Sequence, residues 1–268
     1  MPDYLKLDFW QVALAAMLIV VNGVISIILR LKLERSLALA SVRTIGQLLL
    51  VGLVLEWIFQ QDRWYAVLAM AAMMTLIAGA TAAGRSQRRY PGIWLNTIVS
   101  VWASAWLVTA LALLAVFHGI DKWYQPQYSI PLLGMVLGNT LNGITLGLNT
   151  FTESLATRRE QVEMRFTLGA TRWEAARPPL QHAVRTGMIP IINSMMVVGV
   201  VSLPGMMTGQ LLSGTSPLEA VKYQIVIMFL IASATALGTV GAVLLSFRRL
   251  FNADHQFRYE QITTVSRE

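Results

Sequence analysis

The chain has 268 residues, and its 21 Lys and Arg against 14 Asp and Glu give a net charge of +7. Charged residues make up only 13% of it, well below the roughly 25% of a soluble domain, while hydrophobic residues reach 55% and the mean hydropathy is +0.57. A soluble globule of this size cannot bury so much apolar surface, which disfavours a soluble enzyme, a disordered chain and a nucleic-acid binder.

Seven apolar runs, each long enough to cross the roughly 30 Å hydrocarbon core of a bilayer, follow one another along the chain. They are Phe9–Leu29, Ser36–Phe59, Trp64–Gly84, Pro91–Ile120, Gln125–Thr152, Thr186–Leu218 and Tyr223–Phe247. Within these runs, only the second contains charged residues, which are Arg43 and Glu56. The sequence therefore predicts an all-α polytopic membrane protein with about seven transmembrane helices, built as one transmembrane domain over residues 1–268.

The positive charges between the runs are unevenly distributed. Of the 21 Lys and Arg, 16 lie in alternate connections on one side of the membrane and 4 lie on the other side. The remaining one, Arg43, lies inside the second apolar run. Because cytoplasmic loops carry the excess of positive charge, the N-terminus is predicted outside and the tail, about residues 248–268, in the cytoplasm. The positive net charge is thus explained by topology, which removes the main reason to expect a nucleic-acid partner.

The longest cytoplasmic connection, about residues 157–185, is too polar to span the membrane. Its first part has the pattern of a short helix, and Gly169 permits a turn or a close approach. The pair Pro178-Pro179 is expected to end any helix before the sixth span begins. A short exposed helix with a glycine suits docking onto a soluble partner protein; the alternative is an amphipathic helix that lies on the lipid surface.

This connection also contains a recognisable motif. Glu163-Met-Arg-Phe-Thr-Leu-Gly169-Ala-Thr171 resembles the coupling helix of ABC transporter permeases, with an acidic residue six positions before the glycine. Further segments resemble the FetB-like permeases, which comprise bacterial iron-export permeases and related plant aluminium-tolerance permeases; these segments are Ser41–Gln47, Ile130–Asn139, Ser202–Gly209 and Ala220–Ile225. Arg177–Leu180 departs from the general importer motif, which argues against an importer.

The resemblance implies a permease subunit of an ABC transporter in a bacterial inner membrane, exporting iron or another metal ion by alternating access. It implies that a separate ATPase subunit is contacted by Glu163, Leu168, Gly169, Ala170 and Thr171. It also implies a permease homodimer carrying two ATPases. The chain has no G-x-x-x-x-G-K-[ST] loop, since no Gly is followed by Lys, so ATP and Mg are expected on the partner and no cofactor on this chain.

Two other classes of function compete with this interpretation. A secondary transporter or channel would work without an ATPase partner and without ATP. An intramembrane enzyme would need a catalytic pair within the bilayer, where the sequence supplies only the isolated Arg43 and Glu153. The chain is therefore not expected to be an enzyme.

The fifth span carries a polar stripe along one helical face. Its members are Asn139, Asn142, Thr145, Asn149, Thr152 and Glu153. Within a bilayer such groups must face protein or water, so the stripe either packs helices together, including at a permease dimer interface, or borders the transport path. Asn139, Asn142, Asn149 and Glu153 are the path candidates. Arg43 and Gln47, which share a face of the second span, are further candidates, with snorkelling of Arg43 as the alternative.

The segment Leu203–Gly209 contains one proline and two glycines, which predicts a break in the helix near the outer face. Pro204, Gly205, Met206, Met207 and Gly209 are candidates for an outer gate, with a plain loop as the alternative. No His, Asp and Glu cluster has metal-ligand spacing, and packing explains the 13 methionines better than soft-metal binding does. The metal ligands are therefore unknown, and iron follows from the resemblance alone.

Overall fold

The computed structural model describes residues 8–61, 63–116, 124–252, 254 and 256–264. Within them the helices are α1 (Phe9–Ile28), α2 (Glu34–Gln61), α3 (Trp64–Gly84), α4 (Ile93–Leu111), α5 (Pro126–Thr157), α6 (Arg159–Thr167), α7 (Arg172–Val197), α8 (Gly205–Leu212) and α9 (Pro217–Leu250). A π-helical turn, Ala112–Val116, extends α4, and a 3-10 turn covers Tyr259–Gln261. Two short strands, β1 (Arg88–Arg89) and β2 (Thr263–Thr264), pair antiparallel.

Among the described residues, six helices are long and apolar enough to cross a membrane: α1, α2, α3, α4 with part of its π-helical turn, α5 and α9. The polytopic all-α prediction is confirmed, but the sixth predicted span is not one of the six. The helix in its place, α7, has 26 residues, and its first 14 carry Arg172, Glu174, Arg177 and Arg185. Its uncharged second half, residues 186–197, is only about 18 Å long at 1.5 Å per residue.

The chain between α7 and α9 is broken rather than continuous. It leaves α7 at Val197, turns at Gly199, whose φ is +82°, and enters α8 at Gly205. The break predicted at Leu203–Gly209 is therefore placed a few residues too late. A glycine in the left-handed conformation, such as Gly199, ends a helix, whereas Gly205 and Gly209 are both accommodated inside α8.

Helix α7 also begins 14 residues before the predicted span and runs through Pro178 and Pro179. Proline lacks the N–H that would bond the carbonyl four residues earlier, which for Pro178 is the carbonyl of Glu174. Nη1 of Arg165, on α6, donates to this oxygen at 3.2 Å and replaces the missing bond. The prediction that the proline pair ends the helix is wrong, because a side chain from another helix satisfies the freed acceptor.

The helices form two compact units, which divide between Arg63 and Trp64. In the first unit α1 packs against α2, and Ser26 fixes their connection. Its Oγ donates to Oε2 of Glu34 and accepts from the backbone N–H of Leu33, both at 2.9 Å. Most apolar side chains of these two helices are exposed, as is expected for surfaces that face lipid or another subunit.

In the second unit α5 is central and packs against α3, α4, α7 and α9. Glycines allow α5, α7 and α9 to approach closely. A Cβ added at Gly187 would lie 2.6 Å from Cγ2 of Thr239 and 2.7 Å from the backbone oxygen of Gly143, and one added at Gly143 would lie 2.6 Å from Cγ2 of Thr235. The helices can therefore be this close only where the side chain is a hydrogen atom.

The second unit brings three of the basic connections to one end of its helix bundle. β1, between α3 and α4, pairs with β2 of the tail, and the tail in turn contacts α6. The orientation of this end relative to the membrane stays a prediction.

We expect reporter fusions at Arg89 and Glu268 to read as cytoplasmic and a fusion at Lys122 to read as external, because of the 16-to-4 charge bias. Lys122 and Glu268 lie outside the described residues. A cytoplasmic signal at Lys122 would reverse the predicted orientation.

Candidate functional site

Helix α6 is a nine-residue helix that begins directly after α5, with Arg158 as the only residue between them. The helix predicted in this connection is therefore present. Its inner side chains, Val162 and Phe166, pack in a cluster with Ala175 and Phe251, and Val162 is only 3% exposed. The apolar face of α6 is thus covered by the protein itself.

The residues after α6 form a defined turn. Gly169, with φ +86°, donates its N–H to the carbonyl of Phe166 at 2.9 Å, and Ala170 donates to the carbonyl of Arg165 at 3.0 Å. These two bonds make a Schellman motif, in which the left-handed position favours glycine. Gly169 is therefore favoured by the backbone of this turn, independently of any partner.

Thr171 begins α7 through a capping box. Its Oγ1 accepts from the N–H of Glu174 at 3.3 Å, while Oε2 of Glu174 accepts from the N–H of Thr171 at 2.8 Å. This backbone hydrogen bond lowers the pKa of the Glu174 carboxyl. A carboxyl whose pKa is lowered on folding stabilises the folded state at pH values above its ordinary pKa. That stabilisation is lost as the pH falls through the lowered pKa, so the cap is intact at neutral pH.

The outward surface of α6 and its turn combines apolar and charged side chains. Leu168 is 77% exposed and Met164 is 57% exposed. Glu163 is also exposed and forms an ion pair with Arg159 at 2.6 Å. Of the five predicted coupling residues, Ala170 is half-buried and the other four are exposed.

The polar stripe of α5 binds the connection between α3 and α4. Arg85 Nη1 donates to Oδ1 of Asn142 at 3.3 Å. Ser86 Oγ and Gln87 N both donate to Oδ1 of Asn149, at 3.2 and 3.0 Å. Arg88 Nε donates to Oε2 of Glu153 at 2.6 Å. The hydrogen bond that Arg88 donates to Glu153 raises the pKa of Arg88. Three of the path candidates thus hold a loop in place; their path role stays a prediction.

The remaining path candidates are arranged differently. Asn139 donates from Nδ2 to the carbonyl of Met135 on its own helix at 2.9 Å. Arg43 and Gln47 are exposed side chains of α2 in the first unit. Their contribution to transport also stays a prediction.

Sequence reasoning missed a set of buried threonines in the second unit. Among the described residues, the hydroxyls of Thr140, Thr235 and Thr239 are buried without a hydrogen-bond partner. Thr140 and Thr239 are fully buried and Thr235 is 1% exposed. The only sequence signal for them is a small polar residue within an apolar helix, which is common in membrane proteins and gives no position in the bundle.

The outer-gate candidates lie at and inside α8. Pro204 precedes the helix, and Gly205, Met206, Met207 and Gly209 belong to it. Beside them a cavity of about 400 Å³ lies between the α7 break and α9, and Met207 lines it. Its other lining residues are mostly apolar, and the gate role stays a prediction.

No group of three or more His, Asp or Glu that could hold a metal ion occurs in the part of the chain that the structure describes. The candidate functional site is the surface of α6 with its turn, together with the polar stripe of α5.

The comparisons with known proteins test the resemblance to the FetB-like permeases. The model of the uncharacterised protein family UPF0014 matches residues 9–251. The chain belongs to this family. A UPF0014 membrane protein of Synechocystis is 40% identical over 226 residues, which cover 84% of this chain and 87% of that protein. No solved structure matches the chain.

Two further relatives have functional names. The probable iron export permease protein FetB of Escherichia coli is 32% identical over 255 residues, covering 94% of this chain and 95% of that protein. Protein ALUMINUM SENSITIVE 3 of Arabidopsis thaliana is 29% identical over 245 residues, covering 91% and 88%. The resemblance to FetB-like permeases is thus confirmed. With six apolar helices among its described residues, the UPF0014 chain is a multi-pass protein of the bacterial inner membrane.

Proposed function

We propose that this chain is the membrane-spanning subunit of an ABC transporter and that α6 docks onto a separate ATPase subunit. Two such permeases would assemble with two ATPases. The observation that carries the proposal is the geometry of α6. It is a short helix joined closely to two long helices of the bundle, α5 and α7, and its exposed surface combines apolar and charged side chains.

This geometry argues against the lipid-surface alternative. A helix that lies on a membrane needs a free apolar face and gains from basic residues on its polar face. The apolar face of α6 is occupied, because Val162 and Phe166 pack inward, and its outer surface includes Glu160 and Glu163. The exposed Leu168 and Met164 have the size and position expected of contacts with a protein.

The connections of α6 supply a route for motion into the membrane. Only Arg158 separates α6 from α5, and four residues separate it from α7. α5 and α7 then meet at Gly143 and Gly187 without intervening side chains, so the two helices can shift together. Closure of the ATPases would push α6, and α5 and α7 would carry the displacement to the transport path and alternate its access.

A metal ion, with iron first, is the proposed substrate, and export is the proposed direction. The support is the name of the Escherichia coli relative, which covers nearly all of both chains. Glu153 is the acidic side chain of the α5 stripe and so the residue of that stripe able to attract a cation electrostatically.

We expect Glu153→Gln to raise the KM for the transported cation, because the side chain keeps its shape but loses its charge. Arg88→Gln is the matched control, since it removes the same ion pair but keeps the charge of Glu153, and so separates loss of the ion pair from loss of the negative charge. KM is measured in reconstituted vesicles, with the permease content of each preparation as reference. An equal KM for both variants and the wild type would show that the stripe is packing only.

Co-purification tests the partner. The tagged chain, extracted from its own membranes in mild detergent, should retain an ABC ATPase that hydrolyses ATP. Purification of the folded permease without any ATPase, together with metal transport that needs no ATP, would instead identify a secondary transporter.

A further inference from the structure

The segment that follows α9 folds back onto the end of its own helix. Arg258 N–H donates to the carbonyl of Leu250 at 2.8 Å, and Asn252 N–H donates to the carbonyl of Gln256 at 3.2 Å. Phe251 is fully buried and stacks on Phe257, with 5.0 Å between ring centroids. We call the described residues of 251–264 the C-terminal brace.

The brace contacts α6 and the start of α7. The ring of Phe251 lies 6.2 Å from the ring of Phe166 on α6, and the guanidinium carbon of Arg159 lies 4.5 Å from the centre of the Tyr259 ring. Nη1 of Arg172 on α7 donates to the carbonyl of Asn252 at 3.0 Å. The inner face of the proposed docking helix therefore rests partly on the brace.

The far end of the brace binds the connection between α3 and α4. β2 pairs with β1 in a register that places Thr263 opposite Arg89 and Thr264 opposite Arg88. Thr263 Oγ1 donates to the carbonyl of Arg89 at 3.2 Å, and Arg88 Nη1 donates to Oγ1 of Thr264 at 3.3 Å. Arg88 also holds Glu153 of α5, so one side chain joins the brace, the connection and the stripe.

From these contacts we infer that the C-terminal brace is a positioning element that makes α6 and the α3–α4 connection move as one body. A push on α6 would then reach α3 and α4 through the brace, in addition to α5 and α7. The inference rests on the proposed function of α6. The match to the family model covers residues 9–251, so of the brace only Phe251 lies within it.

Tyr259 gives a matched pair of variants. Tyr259→Ala removes the ring beneath Arg159, whereas Tyr259→Phe keeps the ring and removes only the hydroxyl. In vesicles that contain the permease and its ATPase, we expect Tyr259→Ala to lower the metal transported per ATP hydrolysed several-fold, with Tyr259→Phe close to the wild type. Equal transport per ATP in all three proteins would overturn the inference. A merely structural role would lower permease abundance and leave this ratio unchanged.

A disulfide tests whether the brace stays closed, and it does so without transport. The chain has no cysteine, so Arg89→Cys with Thr263→Cys introduces a single possible pair. Opposed residues of antiparallel strands have Cα atoms about 4.5–5.5 Å apart, within the range of a disulfide. We expect oxidation to form the disulfide readily in the double-cysteine protein. The yield of disulfide should be lower when Tyr259→Ala is added and unchanged when Tyr259→Phe is added.

The oxidised double-cysteine protein should transport as well as its reduced form, because a brace works while closed. Failure of the pair to join, or loss of transport that a reductant restores, would overturn the inference; the second result would mean that the tail must detach in each cycle. Absence of ATP-dependent transport in the wild type would instead contradict the proposed function, and the cross-linking results would still test the brace.

Discussion

Replacing Gly169 with leucine is expected to abolish ATP-driven transport and to weaken binding of the ATPase. The backbone at Gly169 has φ +86°, a conformation that costs an L-residue roughly 1–2 kcal/mol, and no other atom lies within 4 Å of the position that a Cβ would take. Beyond the adjacent residues, the first carbon of the leucine side chain would therefore meet nothing, and the side chain would project into the proposed ATPase socket. Overpacking of such an interface typically costs about 1–3 kcal/mol.

Gly214→Leu is the control for backbone strain. Gly214 has φ +90° and equally open surroundings, but it lies in the turn before α9, at the predicted outer face. Both glycine variants should fold, and of the two only Gly169→Leu should lose partner binding, measured by pull-down and ATPase activity in one detergent preparation.

Glu163→Ala should also lose coupling, since Glu163 is exposed and its ion pair with Arg159 contributes little to folding. Full binding and full stimulated hydrolysis in Gly169→Leu and Glu163→Ala would contradict the docking role of α6.

Replacing Gly187 with valine is expected to destabilise the second unit. The added Cβ would lie 2.7 Å from the backbone oxygen of Gly143, which cannot move away without shifting α5. Overpacking of this kind typically costs about 1–3 kcal/mol, enough to lower both abundance and the thermal unfolding midpoint. The midpoint is measured on detergent-purified protein. Gly138→Val on α5 is the matched control, because a Cβ there has nothing within 4 Å. An equal midpoint in the two variants would mean that α5 and α7 are not in contact at Gly187.

Most of the helices could be predicted because a membrane-spanning helix is specified by local composition. A run of about 20 apolar residues has few alternatives in a bilayer, and the third predicted run, Trp64–Gly84, matches α3 at both ends. The short helix after α5 was predicted because this connection is too polar to span the membrane and its first part suits a short helix. Gly169 was rightly singled out, because glycine after a helix indicates a left-handed turn.

The errors arose where a distant residue decides the local structure. Pro178 was expected to end a helix, and nothing nearby in the sequence shows that Arg165 would satisfy the carbonyl it frees. The sixth span was misplaced because an absence of charge was read as a span, although the chain breaks at Gly199. The partners of the stripe were missed as well: Arg88 and Glu153 are 65 residues apart, and their pairing depends on the packing of α3 beside α5.

The most direct test is transport by purified components. Vesicles that contain this permease and its co-purified ATPase, with iron and ATP supplied on the side that α6 faces, should move iron to the opposite side. Vesicles that lack either ATP or the ATPase should not. Equal iron movement by the permease alone, with no ATP, would contradict the assignment of this chain as an ABC transporter subunit.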